Sequence, residues 1–434
     1  MLVRTLALML ATVGLLVPVG AAPASATPDN FTPRGGPTFN SPLGGKKQQR
    51  AIFRKIIRSI HSTPRGSEIY IFSWNFLTRD GKDALLRAQD RGVRVRLLMD
   101  DVNLVLENGD RNSPYYKLKR GLRRGNQGRR AARRSWARTC QATCRGGSGA
   151  AHSKFFLFSQ AGKARKVYMQ GSANLTVAST SNQWNDIYTH RGNDRVWKFA
   201  RRIFSEAARD RRARDVYATK RIGNFKLMFF PNTGTRSPDP VMQMLGKVRC
   251  HRARNTRHGR TVIRMAPDVL RNDRGMRIAR RIRGLWRDGC DIHLGYTVVG
   301  VKIGRYLRER GHRRGPVPMK HLVQDYNGDG QFDNYFHLKT MTIRGHYGRD
   351  NRATVLLNGS ANWSGLASVS DENLGMYYGR GAVNRYQEHL DYWWYNFPSR
   401  RSQLVFGSNA RAVYEDGTPV SDGSFDPFAK MAAN

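Results

Sequence analysis

Acidic residues are scarce in this chain. It has 32 Asp and Glu against 75 Lys and Arg, a formal net charge of +43 over 434 residues. So few acids cannot balance the arginines, and the excess implies an anionic partner: nucleic acid, an acidic membrane surface or a phosphate-rich substrate. The bland alternative is that arginine enrichment follows genome composition and gives a merely soluble surface. Long apolar runs are also missing. The longest, Leu6 to Val19, is too short for a spanning helix of ~20 residues, and nothing later is longer. Cysteine is rare, with four in all, and zinc-type spacing is lacking because Cys140 and Cys144 have no second close Cys or His pair.

Arg4, the apolar run and Ala24-Ser25-Ala26 together read as a secretory signal over residues 1–26, with cleavage before Thr27. The mature chain is then expected to be exported and water-soluble. Four cysteines allow three connectivities. Local closure and an oxidising compartment favour Cys140–Cys144 with Cys250–Cys290.

Length alone suggests two or three domains and ample material for a core. After a linker over 27–38, Ile52, Phe53, Ile56, Ile57 and Ile60 repeat at helical spacing. Glu68 to Trp74 reads as a buried strand, Lys82 to Asp90 as a helix and Val93 to Leu98 as a strand. The same order returns with Leu227 to Pro231, Val241 to Lys247, Thr261 to Met265, Met276 to Trp286 and Ile292 to Tyr296. The expected fold class is therefore α/β, with similar halves over 39–222 and 227–408, pseudo-two-fold symmetry, the active site at their junction, and a tail over 409–434. Tyr115 to Gly149 reads as a long, arginine-rich excursion, either a basic gate over the site or a solvated loop. Asp325, Asn327, Asp329 and Asp333 have the spacing of a calcium loop, but the twelfth position is Phe336. A polar turn is the safer reading, with structural calcium as the alternative.

The halves share more than their elements. His152-Ser153-Lys154 is followed by Gly171-Ser172-Ala173-Asn174, and His337-Leu338-Lys339 by Gly359-Ser360-Ala361-Asn362. In a strand the His and Lys of each copy share a face. This doubled pattern resembles the phospholipase D superfamily, whose signature is His-x-Lys-x4-Asp followed by Gly-Ser-x-Asn, twice in one active site. The likeness covers most of the mature chain. It departs at the signature Asp, which is Ser159 in the first copy and Arg344 in the second.

The resemblance implies a metal-independent phosphodiesterase fold of two α/β sandwich halves in one monomeric chain. One histidine attacks phosphorus and the other protonates the leaving alcohol. The resemblance gives the attack to His152 and the acid role to His337, and the near-equivalence of the copies leaves the reverse open. Lys154 and Lys339 would hold the non-bridging oxygens, Asn174 and Asn362 would add amide donors, and Ser172 and Ser360 would support them. Acceptors that orient the imidazoles are expected at Glu372 and, in the first half, Asp186 next to Asn185. No cofactor is required. The leading expectation is a secreted enzyme acting on phospholipids, with Trp363 or the run Tyr392-Trp393-Trp394-Tyr395 serving the lipid, although that run equally suits a buried helix face. The runner-up is a secreted nuclease, for which the charge speaks. The third is a polyanion-binding protein whose site has decayed.

Overall fold

Apolar strands bounded by turn residues fold into two large sheets in the computed structural model, which describes residues 29–398 apart from 107, 234–237, 312 and 328–330. The leader over 1–26, the end of the second half, the tail over 409–434 and Asp329 lie outside the described residues.

The first sheet comprises Gly36–Phe39 (β1), Glu68–Ser73 (β2), Arg94–Asp100 (β3), Trp136–Cys140 (β4), Lys154–Ala161 (β5), Ala164–Gly171 (β6) and Asp186–His190 (β7), in the order β1-β7-β6-β5-β2-β3-β4. The main path of the second comprises Ala218–Ile222 (β8), Phe225–Phe229 (β9), Val262–Pro267 (β10), Asp291–Tyr296 (β11), Met319–His321 (β12), Lys339–Tyr347 (β13), Asp350–Gly359 (β14) and Asn373–Tyr378 (β15), in the order β8-β9-β15-β14-β13-β10-β11-β12. The run β7-β6-β5-β2-β3-β4 is repeated by β15-β14-β13-β10-β11-β12. In both runs three antiparallel pairings are followed by two parallel ones.

Helices cover both faces of each sheet, so the strands are buried on both sides and read as near-continuous apolar runs. Ala51–His61 (α1), Arg79–Asp90 (α2) and Ser113–Arg124 (α3) close one face of the first sheet, and Asp194–Ala207 (α4) the other. Pro240–Gly246 (α5), Asn272–Arg287 (α6) and Val301–Arg308 (α7) cover one face of the second, and Arg380–Asn396 (α8) the other. Caps set several helix starts: Thr78 Oγ1 accepts from Gly81 N at 3.2 Å, and Asp239 Oδ1 from Val241 N and Met242 N at 2.9 and 3.0 Å.

Two expectations change here. The arginine-rich stretch from Tyr115 is no open loop, because Tyr115, Leu118 and Leu122 recur at helical spacing and bury α3 against α2, before β4 adds to the sheet. The boundary at 222 also moves. Strand β8, expected in the first half, folds back through Gly223 onto β9 and joins the second sheet. Both disulfides form, Cys140–Cys144 and Cys250–Cys290. Among the described residues no helix is long and apolar enough to cross a membrane.

Candidate active site

Each His-x-Lys enters a central strand. β5 begins at Lys154 and β13 at Lys339, so each histidine stands two residues before its strand. Each Gly-Ser-x-Asn closes the next strand, where backbone crowds in. A Cβ at Gly171 would sit 2.2 Å from Asp186 O, and one at Gly359 2.0 Å from Asn373 O, so only glycine fits. As a result His152, His337, Asn174 and Asn362 line one cavity of about 330 Å³. The amide oxygens of Asn174 and Asn362 are buried there with no protein partner.

The halves orient each other's histidines. His152 Nδ1 donates to Glu372 Oε1 at 2.8 Å, and Glu372 Oε2 accepts from Ser360 Oγ. His337 Nδ1 donates to Asn185 Oδ1 at 2.9 Å, which also accepts from Ser172 Oγ at 2.8 Å. Both partners are acceptors, so each ring carries its proton on Nδ1 and leaves Nε2 with a lone pair. Each motif serine thus fixes an acceptor of its own half, which in turn fixes the histidine of the other.

Asp186 does not take the expected place. Gly171 pairs with Ile187 and Gly359 with Leu374, which aligns Asn185 with Glu372 and Asp186 with Asn373. The Asp186 carboxylate accepts instead from Asn358 Nδ2 and Tyr386 Oη, both at 2.6 Å, and burial pushes its pKa up. It anchors a buried network across the junction: Gln170 Nε2 donates to Asn358 Oδ1, Asn373 Nδ2 to Gln170 Oε1, and Lys154 N to Asn373 Oδ1.

The lysines are fully buried and do not themselves line the cavity. Lys154 Nζ donates to His152 O at 2.7 Å and Lys339 Nζ to His337 O at 2.8 Å. Lys339 Nζ also donates at 2.8 Å to Asp268 Oδ2, which lies 3.9 Å from His337 Nε2. Burial lowers the pKa of both ammoniums. Burial likewise lowers His152, with Glu372 opposing it, whereas burial, Lys339, Lys154 and His152 all push His337 well below the usual imidazole range. Asp371, beside Glu372, accepts from Cys144 N at 2.5 Å and is raised by burial to about 7.

Trp74, Leu77, Val102, Val105, Leu106, Val269 and Tyr335 supply apolar wall, Asn75, Asn103, Thr176, Gln183 and Asp268 polar wall, and Trp74 meets His152 edge-on at 5.6 Å. Asn185, Asp268 and Trp74 were missed from sequence. Asp268 and Trp74 lie just beyond the equivalent strands β10 and β2, the one signal that would have found them. Trp363 is a fully buried core residue of the second half rather than part of the cavity. Trp393 is buried under the sheet, while Tyr392 and Tyr395 are exposed. Asp333 Oδ2 accepts from Tyr326 N at 2.6 Å in the turn before Asn334–Phe336. At the departed signature positions, Ser159 Oγ accepts from Glu68 N at 2.9 Å and Arg344 Nε donates to Asn255 O at 3.0 Å.

Residues 56–207 match the family described as cardiolipin synthase, PLD-like domain. The chain carries a phospholipase D-like domain. No curated protein matches by sequence. Among solved structures, polyphosphate kinase from Porphyromonas gingivalis is 13% identical with a TM-score of 0.52, covering 92% of this chain and 54% of its own, so this chain spans about half of that protein. Phosphatidylserine synthase from Haemophilus influenzae Rd KW20 is 12% identical with a TM-score of 0.53, covering 88% of this chain and 91% of its own. At these identities the likeness is one of fold.

Proposed function

We propose that this protein is a phosphodiesterase that opens phospholipid head-group esters through a phosphohistidine on His152. The observation that carries the reading is the unequal pair of orienting acceptors in one cavity: a carboxylate on His152 and a neutral amide on His337. An imidazole with Nδ1–H on a carboxylate is the better nucleophile, and the carboxylate offsets the charge the ring gains when Nε2 bonds phosphorus. In the first step the P–N bond forms as the P–O bond to the leaving alcohol breaks. The leaving oxygen takes the proton of His337 Nε2. In the second, water attacks phosphorus, its proton passes to His337, and the P–N bond breaks to restore His152. His337 must enter this cycle protonated, which burial and the neighbouring lysines disfavour. An anionic phosphodiester beside the ring, with Asp268 Oδ2 at 3.9 Å, offsets that. The buried lysines contribute positive charge beneath the phosphate rather than contacts from the cavity wall.

The lipid reading rests on the lining. Although the chain has 75 Lys and Arg, none among the described residues lines this cavity. Its rim carries Val102 and Val105, which are 64% and 52% exposed. Such a mouth suits an apolar glycerolipid better than a polyphosphate backbone, which basic grooves track. Two disulfides and the leader-like residues 1–26 support export. The net charge of +43 favours the second reading, a nuclease. The test is choline release from phosphatidylcholine vesicles and nicking of plasmid DNA, both in EDTA, with His152→Ala alongside. Release that vanishes in the variant is expected. DNA cleavage that vanishes in the variant, without choline release, would replace the lipid reading.

A further inference from the structure

A second cavity, of about 440 Å³, is lined by Arg254, Arg344, Arg352 and Arg380 with Asn255, Thr354 and Asn384. It shares no lining residue with the catalytic cavity. Along β13, Arg344 is five residues beyond Lys339 and so points to the opposite face. It is seven residues from His337, or roughly 20 Å at the usual strand rise. Register then assembles the cluster. Arg344 faces Thr354 directly across the strand pair, and Arg352 precedes Thr354 by two on the same face. The loop after Cys250 brings in Arg254. That loop is pinned because Arg254 N donates to Asn351 O at 2.8 Å and Asn255 Nδ2 to Arg352 O and Ala353 O at 2.9 and 3.0 Å. Arg380 and Asn384 come from successive turns of α8.

Among the described residues no carboxylate lines this cavity, and none of its four guanidinium groups is in an ion pair with a described residue. The nearest acid bonded to the cluster, Asp350, accepts the backbone N–H of Arg352 at 2.8 Å. Arg344 uses its Nε on Asn255 O, which fixes the side chain, while its two terminal nitrogens make no hydrogen bond among the described residues. Four like charges around one concavity repel one another unless an anion joins them, and guanidinium forks match phosphate oxygens two at a time.

We propose that this cavity is a binding site for a soluble, multiply charged phosphate anion, separate from the catalytic pocket and independent of the substrate assigned to that pocket. Arg344, which stands where the phospholipase D signature has Asp, supplies its fixed donor.

The test is calorimetric titration of the full chain with inorganic tripolyphosphate, in wild type, His152→Ala and the double variant Arg344→Gln/Arg352→Gln. Binding at one site that persists in His152→Ala and weakens at least tenfold in the double variant is expected. Phosphodiester turnover and melting temperature of the double variant should stay at wild-type values, which separates lost binding from lost folding. Binding that disappears in His152→Ala would place the anion in the catalytic pocket, and binding unchanged in the double variant would reduce it to diffuse surface charge. Either overturns the proposal. A vesicle arm with phosphatidic acid separates the sources. Sedimentation that depends on Arg344 and Arg352, without tripolyphosphate binding, would assign the site to a lipid head group and overturn the soluble ligand.

Discussion

Glu372→Gln tests the orienting pair most sharply, because the local hydrogen bonds dictate which way the new amide must turn. Ser360 Oγ accepts from Asn373 N at 2.9 Å, so its own proton points at Glu372 Oε2. In the variant that proton holds the amide oxygen, and the amide NH₂ faces His152 Nδ1. The ring must then accept at Nδ1 and carry its proton on Nε2, the atom that attacks. Loss of charge alone costs about 1–2 kcal/mol, the difference between a charged and a neutral hydrogen bond, or roughly 5- to 30-fold in rate. The wrong tautomer adds to it, and where a triad carboxylate is made an amide the total reaches ~10⁴. We expect kcat on a soluble p-nitrophenyl phosphodiester to fall about 10³–10⁴-fold. Adding Ser360→Ala removes the proton that holds the amide, lets it turn its oxygen to Nδ1, and should restore about tenfold or more. With Glu372 no longer raising its pKa, any surviving His152 activity should show its acidic limb at lower pH. A Glu372→Gln variant within fivefold of wild type, or a double variant no better than the single, would show that this hydrogen-bond pair does not set the His152 tautomer.

Asn185→Asp places a carboxylate on His337 and raises its pKa, so the basic limb of kcat/KM should move to higher pH. The new charge also faces Ser179 O and Gln183 Oε1, to which Asn185 Nδ2 now donates at 3.3 and 3.2 Å, and the melting temperature should fall. Val102→Asp/Val105→Asp should reduce turnover of phosphatidylcholine vesicles at least tenfold and leave the soluble p-nitrophenyl substrate within about twofold; equal loss on both would count against an apolar mouth. Cys250→Ala/Cys290→Ala opens a loop with a sequence separation of 40, and chain entropy puts the loss near about 4 kcal/mol, measurable by denaturant unfolding.

The doubled motif made the site legible because both copies carry their chemistry in short, fixed spacings that a strand converts directly into a shared face. Orientation was less legible. Ser172 precedes Asn185 by 13 residues, whereas Ser360 precedes Glu372 by 12, so one extra residue hid the equivalence. A search for acids then favoured Asp186, whose carboxylate serves the junction instead. Composition misled in the excursion from Tyr115, where arginines masked three apolar residues at helical spacing. Lys154 and Lys339 read as cavity donors because the motif shows their face but not their depth. Asp268 lies 69 residues before His337 and meets it only through the parallel and antiparallel pairings around β10.

In the proposed mechanism His152 carries the phosphoryl group. His337→Ala, which keeps the nucleophile but lacks the acid, should accept phosphorus from a p-nitrophenyl diester, whose leaving group needs no proton, and then stall. Mass spectrometry of the quenched protein should find one phosphoramidate monoester adduct on the peptide containing His152 and none in His152→Ala. An adduct on His337 in His152→Ala, with none on His152 in His337→Ala, would make His337 the nucleophile and reverse the two roles.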